Sequence, residues 1–278
     1  MKFSRKNCEG LTALVTGADS GIGLCFCKTL AANGVSLIMV SNRPDELAAC
    51  SREIAETYGV ATYDCCVDLA TENATEEVMG YLSRSNLLPE LLINNAGVFD
   101  FRPVADLSER RLDIYCSLHV RTVTMLSWAM ARLWQEKGVK GYLLNMSSMS
   151  CWMPMPGIAM YSATKAYIRV FSRAIAYELR DSGISVTVAC PGGIATDLFG
   201  LPKNLQRFAV RIRVLQTPEK FALKALKRTF RRRRQYINGW LNRVSILAVG
   251  LTPAPVRMLV KHKLLDPLNA KQKDNANK

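Results

Sequence analysis

A chain of 278 residues, 49% hydrophobic and 22% charged, can bury one substantial core, which sets aside a disordered chain or a disulfide-built miniprotein. Nine cysteines without a Cys-x-x-Cys pair, and only two histidines, indicate neither a zinc motif nor a secreted disulfide framework; reduced thiols in an intracellular protein are expected. The net charge of +14 is regional: Lys203 to Lys263 carries 16 Lys and Arg against one acid, Glu219, and everything else sums to about −1. No apolar run follows the charges of the first ten residues as in a secretory signal, and no stretch is long enough to span a bilayer. A cytoplasmic protein is expected, with membrane association left open.

Leu11 to Thr16 reads as a strand. The turn Gly17-Ala18-Asp19-Ser20-Gly21-Ile22-Gly23 and a helical pattern through Leu24, Cys27 and Leu30 follow. Strand, glycine turn and helix in that order bring backbone close to a pyrophosphate at a helix N-terminus; the alternative is an ordinary tight turn. Val35 to Val40 is the second strand, and Ser41-Asn42-Arg43 follows where NAD-binding chains place a carboxylate. With no acid there, Arg43 can pair with a 2′-phosphate through its planar fork, so NADP(H) is preferred over NAD(H). The other reading of Arg43 is a solvated charge ahead of the Pro44 helix start.

Helix 45–58, strand 60–67, helix 72–84 and strand 88–93 continue the alternation, which argues for an α/β fold. The expected form is a doubly wound parallel sheet, Rossmann-like, of about seven strands with helices on both faces. Asp68, followed by Leu69, ends the third strand, where its carboxylate could accept from an adenine amino group or simply serve the loop. Asn94-Asn95-Ala96-Gly97 ends the fourth and should face the Gly17 turn across the crevice. Residues 107–135 read as one amphipathic helix. The fifth strand, 142–146, delivers Ser147-Ser148; a proline-broken loop leads to the helix holding Tyr161 and Lys165, and the sixth strand, 184–190, ends in Pro191-Gly192-Gly193-Ile194-Ala195-Thr196. A Tyr and a Lys four apart share one helix face, where an ammonium can lower a phenol's pKa toward acid–base duty. Taken alone, that pair is as readily a solvated helix edge.

Four motifs then agree in order and spacing: Thr16-Gly17-x-x-x-Gly21-Ile22-Gly23, Asn94-Asn95-Ala96-Gly97, Ser148 with Tyr161-x-x-x-Lys165, and Pro191-Gly192-x-x-x-Thr196. Over residues 11–200 the sequence resembles the short-chain dehydrogenase/reductase family in its single-domain form. The resemblance implies that Tyr161 is the general acid–base, that Lys165 tunes it and binds the nicotinamide ribose, and that Ser148 donates to the substrate oxygen. It also implies cofactor contacts from Gly17, Asp19, Ser20, Gly21, Ile22, Gly23, Ser41, Asn42, Arg43, Asp68, Leu69, Asn95, Ala96, Gly97, Pro191, Gly192, Ile194 and Thr196. Where the family commonly carries an asparagine that kinks the long helix and holds a relay water, this chain has His119. His119 is expected either to serve that relay or to be a structural histidine beside the site.

The substrate pocket is expected from Phe99, Phe101, Met149, Trp152, Met153, Met155, Leu198 and Phe199. This apolar set points to a ketone or secondary alcohol on a large apolar body such as a steroid, a 3-ketoacyl chain or a sphingoid base, handled by a reductase. Residues 1–268 are expected to form one catalytic domain, with a substrate loop at 191–216 and a basic extension at 231–268. The region from Thr217 to Leu265, including Arg231-Arg232-Arg233-Arg234, resembles the endings of lipid and 17β-hydroxysteroid reductases. Residues 269–278 read as a polar tail. Three readings of the basic region stand: an anionic membrane surface, an acyl carrier protein or coenzyme A thioester, and a solvated face. No specific nucleic-acid partner is expected; a homodimer or homotetramer is implied by the resemblance. The rival functions are an NAD-linked alcohol dehydrogenase and a non-catalytic NAD(P)-binding sensor or assembly protein.

Overall fold

The structure, a computed structural model, describes residue 8 and residues 10–194, 215–239, 242–244, 246 and 251–266. Thr196, Leu198, Phe199, most of the expected substrate loop and the 269–278 tail lie outside the described residues.

Strands β1 (Thr12–Thr16), β2 (Ser36–Ser41), β3 (Thr62–Cys66), β4 (Leu91–Asn94), β5 (Tyr142–Met146), β6 (Ser185–Cys190) and β7 (Gln235–Ile237) form one sheet. Its order is β3-β2-β1-β4-β5-β6-β7, every neighbouring pair is parallel, and the direction of winding reverses between β1 and β4. Helices α1 (Gly21–Ala31), α2 (Pro44–Tyr58) and α3 (Ala74–Arg84) connect the early strands, and α4 (Glu109–Cys116) and α5 (Val123–Lys137) lead to β5. Helix α6 (Ala159–Glu178) precedes β6, α7 (Pro218–Phe230) precedes β7, and α8 (Ala254–Val260) follows.

Parallel strands buried on both faces need two apolar layers, and the alternation of side chains along each strand supplies them. Ala13, Val15, Leu37, Met39 and Ile93 pack under α1, α2 and α7 with Phe26, Leu30, Leu47 and Phe221. Their neighbours Leu14, Ile38, Val40 and Leu92 pack on the opposite face with Val78, Leu126, Met130 and Trp134. A polar chain crosses this second layer: the Asn94 amide donates to Asn145 Oδ1 at 2.8 Å, and the Asn145 amide donates to Ser172 Oγ at 2.9 Å, tying β4, β5 and α6 together.

The one helix expected over 107–135 starts later and changes pitch. Ser108 caps it by accepting from Arg111 N, and Gly138 ends it at φ 67°. Between α4 and α5, residues Ser117–Thr122 form a π-helical turn. Apolar periodicity does not register this wider turn, which inserts about one residue into the winding while both flanking faces stay apolar.

Candidate active site

The glycine turn brings backbone to backbone. A Cβ on Gly23 would lie 1.8 Å from Gly17 O, and Gly17 itself has φ +61°, so neither position accepts a side chain without strain. This close approach presents the N-terminus of α1, with no acid in its first turn, to the crevice between β1 and β4. Thr16 fixes the opposite wall: its Oγ1 accepts from Asn95 N at 2.8 Å and Ala96 N at 3.0 Å and donates to Ile93 O at 3.3 Å. The Asn95 amide returns two bonds, to Thr16 O and Gly17 O.

The resulting cleft, about 300 Å³, is lined by Gly17, Ser20, Gly21 and Ile22 on one side and Asn95, Ala96 and Gly97 on the other. Ser148, Tyr161, Lys165, Pro191, Gly192 and Ile194 complete it. Four strand ends and two helices thus converge residues separated by up to 177 positions in the chain. Val98, Met146 and Ser147 also line the cleft, and sequence reasoning left them out because their contribution follows from where the chain passes, not from residue type. Ser147 turns its hydroxyl back to Lys165 O at 2.7 Å, while Ser148 faces the cleft.

Ser148 caps a 3₁₀ turn over Met149–Trp152 by accepting from Ser150 N at 3.1 Å. Its side chain and that of Tyr161 line the same cleft. Burial pushes the Tyr161 pKa up to about 12, against the lowering contributed by Ser148. Burial likewise pulls Lys165 down to about 8. The spacing suggests a lowering of the phenol by Lys165, but Lys165 Nζ stands 5.6 Å from the Tyr161 ring centroid and donates to Met146 O at 3.0 Å. The shared helix face holds, but burial dominates the electrostatics of both groups.

His119 sits in the π turn, fully buried. Val98 N–H donates to its Nε2 at 3.0 Å, so that nitrogen carries no proton. Nδ1–H then donates to Thr164 Oγ1 at 2.9 Å, and Thr164 donates onward to Met160 O or Tyr161 O. Burial, with Lys165 and Arg111 adding to it, holds the His119 pKa well below its ordinary value. The ring is neutral with both nitrogens engaged, and it bridges the Gly97–Val98 segment to α6.

Other expected contacts lie outside this cleft's lining. Arg43, at the end of β2, forms ion pairs with the buried Asp19 carboxylate and with Glu46. Ser41 Oγ accepts from Arg43 N, and Asn42 is exposed. Asp68 uses Oδ1 to accept from Ala70 N at 3.0 Å, and Leu69 is buried with its carbonyl accepting from Thr122. Phe99 packs edge-on against the Tyr161 ring at 5.0 Å. Met149 N donates to Pro191 O at 2.8 Å, tying its turn to the end of β6. Trp152, Met153 and Met155 line a separate groove of about 600 Å³ beside α6, with Arg169 stacked 4.3 Å over Trp152.

The residues fit a nicotinamide dinucleotide: an acid-free helix N-terminus, glycines no side chain could replace, and a proton-donating trio at the far end of one cleft. Residues 11–204 match the model of the family described as short chain dehydrogenase. The chain is 34% identical to carbonyl reductase [NADPH] 2 of Sus scrofa over 68% of this chain and 74% of that protein. It is 32% identical to the inactive hydroxysteroid dehydrogenase-like protein 1 of Homo sapiens over 71% of this chain and 60% of that one. It spans less than two thirds of the length of several relatives it matches. Among solved structures, a short-chain dehydrogenase from Sphingobium yanoikuyae in complex with NADPH matches with TM-score 0.75 at 26% identity, covering 86% of this chain and 92% of that one. By the matched family model, the motif order and the fold together, the chain belongs to the short-chain dehydrogenase family.

Proposed function

We propose that the protein is an NADP(H)-preferring oxidoreductase that moves hydride between the nicotinamide and a ketone or secondary alcohol on an apolar molecule, working as a reductase. The observation that carries this reading is the convergence of Ser148, Tyr161 and Lys165 at one end of the cleft whose other end is the α1 N-terminus. The bound dinucleotide supplies the hydride. Tyr161, protonated at any physiological pH, gives its phenolic proton to the carbonyl oxygen, and Ser148 donates to the same oxygen as negative charge develops there. Lys165, at the cleft wall beside Gly97, orients the ribose hydroxyls.

Preference for the 2′-phosphate rests on Arg43, whose half-exposed guanidinium is braced by Asp19 at the end of β2. The pig relative named for NADPH is consistent with it. The same ion pair favours the rival NAD-linked dehydrogenase if Asp19 and Glu46 keep the guanidinium occupied. Phe99 against Tyr161 supports an apolar substrate, and so does the human relative's hydroxysteroid name. A non-catalytic NAD(P)-binding protein is the second reading. It is favoured by the closed hydrogen-bond ring around His119, which leaves no nitrogen for a relay water, and by the word inactive in that same name.

The deciding experiment follows nicotinamide absorbance with NADPH or NADH against steroid, 3-ketoacyl and 3-ketosphinganine substrates. Turnover with NADPH that drops at least 100-fold in Tyr161→Phe is expected. Full activity in Tyr161→Phe sinks the mechanism, and NADPH binding without turnover of any substrate selects the sensor reading.

A further inference from the structure

Two cysteines pack together at the turn that Ser148 caps. The register of β5 on β6 pairs Met146 with Ala189, and Ser147 N→Ala189 O and Met149 N→Pro191 O, both 2.8 Å, bracket Cys190. The 3₁₀ turn capped by Ser148 then carries Cys151 back over this strand end, with Cys151 N donating to Ser148 O at 3.2 Å. The Cys151 side chain packs against the buried cluster that Cys190 forms with Val123, Ile168 and Val188. Cys190 is completely buried, whereas Cys151 is partly exposed and lines the 600 Å³ groove beside Trp152, Met155 and Ser162. One thiol is therefore reachable from solvent and the other is held behind it.

The surroundings treat the pair unequally. The Cys190 thiol, the Ser147 hydroxyl and the Arg169 guanidinium draw the Cys151 pKa down, although burial opposes them. The Ser147 part is the weaker, since its hydroxyl proton is directed at Lys165 O. Arg169 Nε is buried without a hydrogen-bond partner among the described residues, a donor well placed beside a thiolate. Contact with Cys151 pushes Cys190 up. Elsewhere burial pushes Cys25, Cys27, Cys50 and Cys65 up, toward inert thiols.

We propose that Cys151 is a peroxide-reactive cysteine with Cys190 as its resolving partner, forming a reversible disulfide across the floor of the active site. The Cys151 thiolate attacks one oxygen of a hydroperoxide, the O–O bond breaks, and Cys151 becomes a sulfenic acid as water or alcohol leaves. Cys190 sulfur then attacks the sulfenic sulfur; its proton leaves with the departing hydroxide as water, and the S–S bond forms. Two thiols are oxidised, one peroxide is reduced, and a dithiol reductant reverses the reaction. The bond would span the turn that Ser148 caps and the strand end that leads into Pro191, so it would move the two lips of the cleft together.

The test treats the full-length protein with stoichiometric hydrogen peroxide, blocks free thiols with iodoacetamide and maps tryptic peptides. A linkage between peptides 141–165 and 181–203, lost after dithiothreitol, is expected. Cys190→Ser, or Cys190→Ala where the serine variant does not fold, should trap a dimedone adduct at Cys151, and Cys151→Ser should give neither product. Absence of both the linkage and the adduct overturns the proposal. The effect on turnover rests on the oxidoreductase reading, so it is measured separately: at least fivefold loss in the linked protein, restored by dithiothreitol, is expected. Unchanged turnover in fully linked protein refutes the control of the site, and absence of any turnover leaves the peptide result to decide the thiol chemistry.

Discussion

Lys165 shows how a single buried charge sets a stability profile. Its pKa in the fold is about 8 against an ordinary 10.5, so between those values the unfolded chain holds a proton that the folded chain has released. Stability therefore rises as pH increases from about 8 to 10.5, and below about 8 the full cost of burying the ammonium, on the order of 3 kcal/mol, is present. Replacing Lys165 with Met removes that cost but leaves Met146 O without its donor. A net gain of about 1 to 3 kcal/mol in urea unfolding at pH 7 is expected, shrinking at pH 10, together with loss of turnover. Equal destabilisation at both pH values would mean that Lys165 is not held in a desolvated position. The spacing of Tyr161 and Lys165 was legible in the sequence because it is a helical period. The direction of their pKa shifts was not, because desolvation depends on what the other strands place around them.

At the scale of elements, the π turn over Ser117–Thr122 is what brings His119 inward. Tyr115, one turn earlier, packs edge-on against His119 at 5.4 Å, and His119 in turn meets the Tyr161 ring at 6.0 Å. Removing the imidazole strands Val98 N–H, so His119→Ala should cost about 1–3 kcal/mol plus the cavity it leaves. His119 takes no proton in the fold, whereas the unfolded chain does near pH 6.5; stability is lost as pH falls below about 6.5, and this loss should shrink in His119→Ala. Turnover of the parent protein should show no limb between pH 6 and 7.5 that disappears in the variant; a limb that does disappear would make His119 a titrating relay. Chain position revealed that a histidine stands at this place. The tautomer came only with the fold, since Val98 and Thr164 are brought to the ring from different strands and helices. The order of strands, by contrast, was readable, because most of them are short apolar runs closed by Gly, Asn, Ser or Pro, while β3 carries Asp64 and leads on to Asp68.

At the scale of the whole molecule, two exposed surfaces stand out among the described residues. Helices α5 and α6 expose Trp128, Tyr167, Val170 and Tyr177, with Val170 62% exposed, a patch of the kind that self-association covers. With the homodimer or homotetramer that the family resemblance implies, Val170→Glu with Trp128→Glu should give a monomer in sedimentation; an unchanged mass would place the contact elsewhere. The second surface is basic. Arg231 to Arg234 are all exposed at the α7–β7 turn; Arg232 stacks over Tyr142 and Arg234 over Tyr177, and none pairs with an acid among the described residues. Among the described residues no helix is long and apolar enough to cross a membrane, and an anionic membrane surface is the partner this charge would meet. Co-sedimentation with phosphatidylserine vesicles at low salt should fall several-fold when these four are changed to Gln. Binding to neutral vesicles alone would point away from charge.

The Thr16 hydroxyl, accepting from Asn95 and Ala96 and donating to Ile93, acts mechanically as a rivet between the two halves of the sheet. A jaw riveted at its hinge cannot widen by spreading its strands. Ligand exchange must then proceed by movement of segments above the sheet, and the backbone amides of residues 95 and 96 should be among the slowest to exchange with deuterated solvent even while ligands come and go.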